Sequence, residues 1–372
     1  MIGRFSLTRV SLSSAFTLPT SKLCLRRPHT TAAMAMSSSP AIAVQQHPGN
    51  PFSLSGKTAL VTGSSGGIGK GIATAFAEAG ANVIVHYHSR REGAVSTCKE
   101  INDRHAALTK CQDEPANGAS SGPLPGKCLG VVHADFRDPS AVDEMFQFVT
   151  SDLLKDRRLD ILVNNAGIVT KLAVEDDDHL AAWHETMAVN LHAPLQLMKL
   201  AHGHMKSTAS LDGDQGGGQR RGGVIINNTS IHGTRSVEFM TAYAASKAAL
   251  DSLTRGLACE YAPDGVRVNA VAPGVVPVER TQEAFADPAV VDLWTPHLPV
   301  ARLGTVEEVS RATLVLAANE WMSGTVLTVD GGMMARANMP VRPRPPKPAP
   351  RVEDGDVRGH REKKHKKSTI KA

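Results

Sequence analysis

Seven short apolar runs are spaced along this chain with segments of helical length between them, and this alternation constrains the fold more than any other feature. The runs are TALVT (58–62), NVIVHY (82–87), LGVVHA (129–134), LDILVN (159–164), GVIINNT (223–229), VRVNAVA (266–272) and TVLTVD (325–330). They are nearly continuous in apolar residues, the pattern of strands buried on both faces. Strand and helix in strict alternation predict an α/β domain, a parallel sheet with helices on both faces. Two stretches break the rhythm, DEPANGASSGPLPG (113–126) and SLDGDQGGGQRRGG (210–223). Their Gly, Ser, Pro and charge predict surface insertions, since closure entropy grows slowly with loop length.

The formal charge of the 372-residue chain is +5, unevenly placed. Residues 1–54 carry five Lys/Arg and no acid, and residues 336–372 carry twelve Lys/Arg against four acids, a net +8. Removing these +5 and +8 contributions from the total leaves −8 for residues 55–335. The basic character therefore belongs to the ends, and a nucleic-acid-binding core is not expected. Residues 1–40, rich in Ser, Thr, Ala and Arg, read as a targeting segment. Mitochondrion and plastid both fit; a disordered tail, or a cytoplasmic form started at Met34 or Met36, is the alternative. Residues 41–54 read as a linker. Residues 338–372, Pro-rich and then Lys-rich, read as a disordered tail whose partner the sequence does not name.

The five cysteines (Cys24, Cys98, Cys111, Cys128, Cys259) are scattered and form no CxxC pair. The expectation is no disulfide framework, no zinc site and a reducing compartment. HGHM (202–205) lacks a carboxylate at ligand spacing and reads as an exposed helix end, so no metal site is expected.

The chemistry-bearing residues cluster in two places. Tyr243 and Lys247 stand four apart in YAASK, with Ser230 upstream in NNTSIHG. Four residues place the phenol and the ammonium on one helix face. A lysine beside a tyrosine favours the phenolate, and a tyrosine so tuned exchanges a proton with a carbonyl or hydroxyl oxygen. The second place is TGSSGGIGKG (62–71), where Gly63, Gly67 and Gly69 follow the first strand and open a helix. Such a turn lets a pyrophosphate approach the helix N-terminus. Gly71 stands after Lys70 where a Walker loop needs Ser or Thr, so that reading fails.

With these motifs, NNAG (164–167), Asn190 in MAVNL and the PG of Pro273 and Gly274, the chain resembles the short-chain dehydrogenase/reductase family over about residues 55–335. The resemblance implies one Rossmann-type domain with a seven-stranded parallel sheet and NAD(P)-dependent oxidoreductase activity. It casts Tyr243 as general acid/base, Lys247 as the group lowering its pKa and holding the ribose, and Ser230 as the substrate-oxygen anchor. Asn190 supports a water-linked proton path to Lys247. A nicotinamide dinucleotide would lie along Gly63, Ser65, Gly67, Ile68, Gly69, Tyr87, Arg90, Asp135, Asn165, Ala166, Gly167, Pro273, Gly274 and Val276, besides Tyr243 and Lys247. Asp135 matches the acid that meets adenine.

The second strand ends in Tyr87-His88-Ser89-Arg90-Arg91, with no acid for a ribose 2′-hydroxyl and two arginines for a 2′-phosphate. NADP(H) is favoured, with NAD(H) as the alternative. Val278 stands near the place where the family often has a threonine for the carboxamide, which leaves that contact open. The substrate is a small carbonyl or alcohol compound held by the loop 275–298, with Glu279, Arg280, Phe285, Trp294 and His297, and by His232 and Glu238. SIHG resembles members acting on sugars and polyols; the whole motif set also resembles 3-oxoacyl-carrier-protein reductases. Both stay open. The small residues Ala244, Ala245, Ala248 and Ala249 after Tyr243 suit a homodimer or homotetramer. A non-catalytic nucleotide-binding scaffold of the same fold is the reading from another class.

Overall fold

The computed structural model describes residues 50–113, 124–155, 157–208 and 222–336. Residues 1–40, read as a targeting segment, most of the expected linker and of both expected insertions, and the basic tail lie outside these residues.

Each apolar run forms a strand within two residues of its expected bounds. These are β1 (Thr58–Val61), β2 (Asn82–Tyr87), β3 (Cys128–His133), β4 (Ile161–Asn164), β5 (Val224–Asn228), β6 (Arg267–Pro273) and β7 (Val326–Val329). All pair in parallel, in the order β3-β2-β1-β4-β5-β6-β7. This is a Rossmann-type sheet. The chain builds outward from β1 in one direction, then crosses back to β4 and builds outward in the other. The reversal opens a crevice beyond the carboxyl ends of β1 and β4, where open α/β sheets bind ligands.

The connecting helices are α1 (Gly67–Glu78), α2 (Arg91–Asp113), α3 (Pro139–Phe148), α4 (His179–Met187), α5 (Ala193–Thr208), α6 (Thr241–Tyr261), α7 (Gln282–Phe285), α8 (Pro288–Trp294) and α9 (Val306–Ala318). Period-two alternation divides the strand residues between two cores. Leu60, Ile84, Leu162, Ile225 and Val268 face α3, α5 and α6. Val61, Val83, Val85, Val163 and Ile226 face α1, α2 and α9. Both faces are covered, which is why the strand runs are apolar throughout.

Two cysteine and histidine expectations are corrected. Cys98 on α2 and Cys128 at the start of β3 form a disulfide, with Cα atoms 5.2 Å apart and a sequence separation of 30. The packing of α2 on β3 brings them together. Asn102, one turn after Cys98, receives the Cys128 N–H at 2.9 Å and donates to its carbonyl at 3.3 Å. His202 of HGHM is not on an exposed helix end. It is part-buried, stacked on Tyr261 with ring centroids 3.8 Å apart, and its Nε2 lies 2.9 Å from Asp264 Oδ2. The carboxylate comes from 62 residues on in sequence. Among the described residues no cluster of metal-ligating side chains forms.

Phe76, fully buried on α1, is among the largest side chains of the second core. Phe76→Ala is expected to lower unfolding free energy by about 4 kcal/mol, read by urea denaturation at constant m-value.

Candidate active site

The crevice begins with the turn from β1 into α1, whose shape is fixed by side chains from three neighbouring strands. Thr62 donates its N–H to Val163 O at 2.9 Å, and its Oγ1 accepts the N–H groups of Asn165 (2.9 Å) and Ala166 (3.0 Å). Asn165 Nδ2 returns bonds to the carbonyls of Thr62 (2.8 Å) and Gly63 (3.1 Å), and its Oδ1 accepts from Asn228 Nδ2 at 2.7 Å. From the other side, Gly63 N–H donates to His86 Nδ1 at 2.9 Å. Nδ1 is thereby an acceptor, so the ring proton sits on Nε2 and donates to Ala134 O at 3.2 Å.

Glycine is required at two of these positions. Gly63 adopts φ +62°, and a Cβ there would stand 2.8 Å from Ala166 Cα. A Cβ on Gly69 would run into the Gly63 carbonyl and Asn165 Nδ2. The Ser64 N–H donates to His86 O at 2.9 Å, and the Gly67 N–H at the start of α1 is bonded to a carboxylate oxygen of Glu279 at 2.7 Å. An anion thus already stands where the helix dipole and a free amide favour one. The cradle fits the pyrophosphate of a dinucleotide.

Around the cradle, Ser65 adjoins the start of α2 through Gly93, and Ile68 packs into the second core. Tyr87 ends β2 with its ring 5.2 Å from His133, and the Arg90 guanidinium reaches over Gly66. Arg91 opens α2. Asp135 lies beyond β3, but Arg137 grips both its oxygens at 2.7–3.0 Å, and His88 approaches at 3.5 Å. The bonded guanidinium lowers the Asp135 pKa to about 2. Asp135 is therefore already committed to an exposed ion pair with Arg137. Ala166 and Gly167 continue from β4, and Gly167 faces Asn190 Oδ1 and Lys247 Nζ. Just after Pro273 ends β6, Gly274 donates to Val329 O at 2.9 Å, and Val276 packs against the second core. Val278 N–H donates to Thr281 Oγ1 at 3.0 Å, which bends the next segment back on itself.

The reactive side chains converge beyond β5. Ser230 caps a short turn, Ile231–Gly233, with its Oγ accepting the His232 N–H at 3.2 Å. Tyr243 is half-buried on α6, and Lys247 Nζ lies 5.7 Å from the centre of its ring. Lys247, 4% exposed, donates to Asn228 O at 2.9 Å. Asn190 occupies a widened π-helical turn, Ala188–His192, between α4 and α5. Its side chain accepts the Ile168 N–H and donates to Ile168 O, both at 2.9 Å, and donates to Ser246 Oγ at 3.2 Å. Such a wide turn aims the amide inward. Asn190 Oδ1 and Lys247 Nζ both face Gly167, 3.2 and 3.6 Å from where its Cβ would stand.

The expected tuning of Tyr243 is corrected. Burial raises its pKa, while the Ser230 hydroxyl and then the Arg280 charge oppose the rise. Lys247 is itself pushed down to about 8 by burial, and its ammonium is engaged by the Asn228 carbonyl. The partners that pull the phenol down are thus Ser230 and Arg280.

Two residues of this network escaped the sequence reading. His86 is a polar residue inside the apolar run NVIVHY, which was the available signal. Asp251, one turn after Lys247, is 4% exposed with Oδ1 unpartnered, and burial raises its pKa. Its i+4 spacing from the lysine was the signal there.

Burial lowers the His86 pKa from 6.5 to about 4. Between these values the unfolded chain binds the proton and the folded one does not, so stability is complete above pH 6.5 and falls as pH drops toward 4. The loss attributable to His86 is about 3 kcal/mol. Denaturation at pH 7 and pH 4.5 should show it in wild type. His86→Asn, which keeps an acceptor for Gly63 but cannot titrate, should show a shallower slope.

A profile of the family described as short chain dehydrogenase matches residues 57–117, and one described as Enoyl-(Acyl carrier protein) reductase matches residues 107–334. The chain is 35% identical over 282 residues to 3beta-hydroxysteroid dehydrogenase 1 of Eggerthella lenta, covering 75% of this chain and 94% of that protein. It is 31% identical to 2-dehydro-3-deoxy-D-gluconate 5-dehydrogenase of Bacillus subtilis, covering 77% and 97%. The crystal structure of a gluconate 5-dehydrogenase from Burkholderia cenocepacia in complex with NADP and tartrate superposes with a TM-score of 0.62 at 27% identity, covering 77% and 98%. With the Rossmann-type sheet, the glycine cradle and the Ser230, Tyr243 and Lys247 cluster, these matches identify the chain as a member of the short-chain dehydrogenase/reductase family and an NAD(P)-dependent oxidoreductase.

Proposed function

We propose that this protein interconverts a carbonyl and a secondary alcohol on a sugar, sugar acid or polyol, with NADP(H) as cofactor and Tyr243 as general acid/base. The observation that carries the reading is the convergence of Ser230, Tyr243 and Lys247 beside the glycine cradle. The gluconate-type relatives support the substrate class. When bound, the nicotinamide donates or accepts the hydride. Ser230 and Tyr243 hold the substrate oxygen, and the phenol gives or takes its proton as charge changes there. Lys247, buried and poised near pH 8, holds the ribose and passes the proton onward toward Asn190.

NADP(H) is supported by the absence of an acid after β2 and by Arg90 beside the phosphate cradle. Arg280 and His232 bring polar groups to the phenol side of the cleft, and the His232 ring meets that of Tyr243 edge-on at 6.1 Å. The family description naming an enoyl-(acyl carrier protein) reductase favours acyl thioesters as a class, and the second reading is a 3-oxoacyl thioester substrate. The organelle location and the homodimer or homotetramer remain part of this proposal.

Tyr243→Phe is expected to lower turnover by about 10³-fold while cofactor affinity stays within about twofold. Unchanged turnover would remove the role given to the phenol. Initial rates with aldoses, polyols, gluconate-type acids and an acetoacetyl thioester, each with NADPH or NADH for reduction and the oxidised forms for the reverse, check the substrate and cofactor. The expected result is activity on a hydroxylated substrate with the phosphorylated cofactor preferred. Activity confined to the thioester would select the second reading.

A further inference from the structure

The anion on the Gly67 amide belongs to the protein itself. Glu279 lies 212 residues beyond Gly67, on the segment after β6, yet its Oε2 accepts the Gly67 N–H at 2.7 Å. Its other oxygen stands 3.2 Å from where a Cβ on Gly66 would be, next to the Arg90 guanidinium. The segment is pinned around this contact. Val278 Cγ1 lies 3.3 Å from the Cβ position of Gly67, and Val278 and Thr281 bond each other through the Thr281 hydroxyl at 3.0 and 3.2 Å.

The pyrophosphate of a nicotinamide dinucleotide needs the same donor at the same helix start. A carboxylate within hydrogen-bond distance of that amide excludes a phosphate oxygen by volume and repels it by charge. The two anions cannot share the seat. We propose that Glu279 is an internal competitor for the cofactor's phosphate seat, setting cofactor affinity and tying cofactor arrival to movement of residues 275–281. This rests on the nicotinamide-dinucleotide reading of the glycine cradle and is independent of the substrate.

The segment also carries Arg280, whose charge bears on the Tyr243 phenol. Displacing Glu279 therefore moves a residue that influences the proton donor.

The test is the dissociation constant of NADPH, measured by fluorescence titration on the purified full chain, with thermal melting recorded for every variant. Glu279→Gln keeps the shape and removes the charge, and Glu279→Ala removes both. Glu283→Gln removes a charge four residues on, in α7, and serves as the control for general electrostatics. Both Glu279 variants are expected to bind NADPH about tenfold tighter, equivalent to about 1.4 kcal/mol, with the control within about twofold of wild type. Unchanged or weaker binding in both Glu279 variants, with melting unchanged and wild type binding normally, overturns the proposal alone. A tenfold gain in Glu283→Gln as well also overturns it, by assigning the effect to net charge. Wild type that binds neither NADPH nor NADH overturns the dinucleotide reading and the proposal with it.

Discussion

The hydrogen bonds that hold the turn between β1 and α1 are the constraint on which the rest of the site depends. A turn that offers its amides to an anion needs its backbone fixed by something other than that anion. Asn165 fixes it from β4 through its bonds to Thr62 at the end of β1, and His86 fixes it from β2. Those strands are the two neighbours of β1 in the sheet, so the parallel pairing that builds the core also shapes the cradle. The Asn165 side chain then reaches Asn228 at the end of β5, and Asn228 accepts from Lys247. One chain of polar contacts joins the glycine turn to Lys247 across three strand ends. Being buried, these contacts are costly to leave half-made, which makes the arrangement all or none.

Electrostatics within the cleft are set by burial before they are set by pairing. Tyr243 and Lys247 are both pushed toward their neutral forms by loss of water, the phenol upward and the ammonium to about 8. The pair therefore combines a neutral phenol with an ammonium that still predominates at neutral pH and is discharged above about pH 8. It responds to what enters the cleft: an oxygen gaining negative charge beside Ser230 and Tyr243 restores the advantage of the ammonium. Glu279 and Arg280 bring opposite charges to the two halves of the same cleft from one loop, the acid toward the glycine turn and the base toward the phenol. The loop after β6 is thus part of the electrostatics of both cofactor and substrate sites.

Much of this was legible in the sequence because strands buried on both faces leave continuous apolar runs and because glycines without room for a Cβ leave a fixed spacing. Gly63 and Gly69 are such positions, and Tyr243 and Lys247 share a helix face by their spacing alone. What escaped detection depends on which distant segments meet. Cys98 and Cys128 are neighbours because a helix packs over the strand that follows it, a relation no cysteine spacing encodes. Asp264 reaches His202, and Glu279 reaches Gly67, across long sequence separations. The direction of the Tyr243 shift was misread because the lysine's proximity is a local property, whereas burial is a property of the whole fold.

The central claim is that one dinucleotide seat, built on the β1–α1 turn, delivers its nicotinamide to Ser230, Tyr243 and Lys247. A crystal structure of the protein grown with NADP⁺ tests it most directly. The account predicts the pyrophosphate on the Gly67 amide with Glu279 displaced, a ribose hydroxyl on Lys247 Nζ, and the nicotinamide facing the Ser230 and Tyr243 hydroxyls. A cofactor bound elsewhere, or seated with its nicotinamide away from Tyr243, would contradict it.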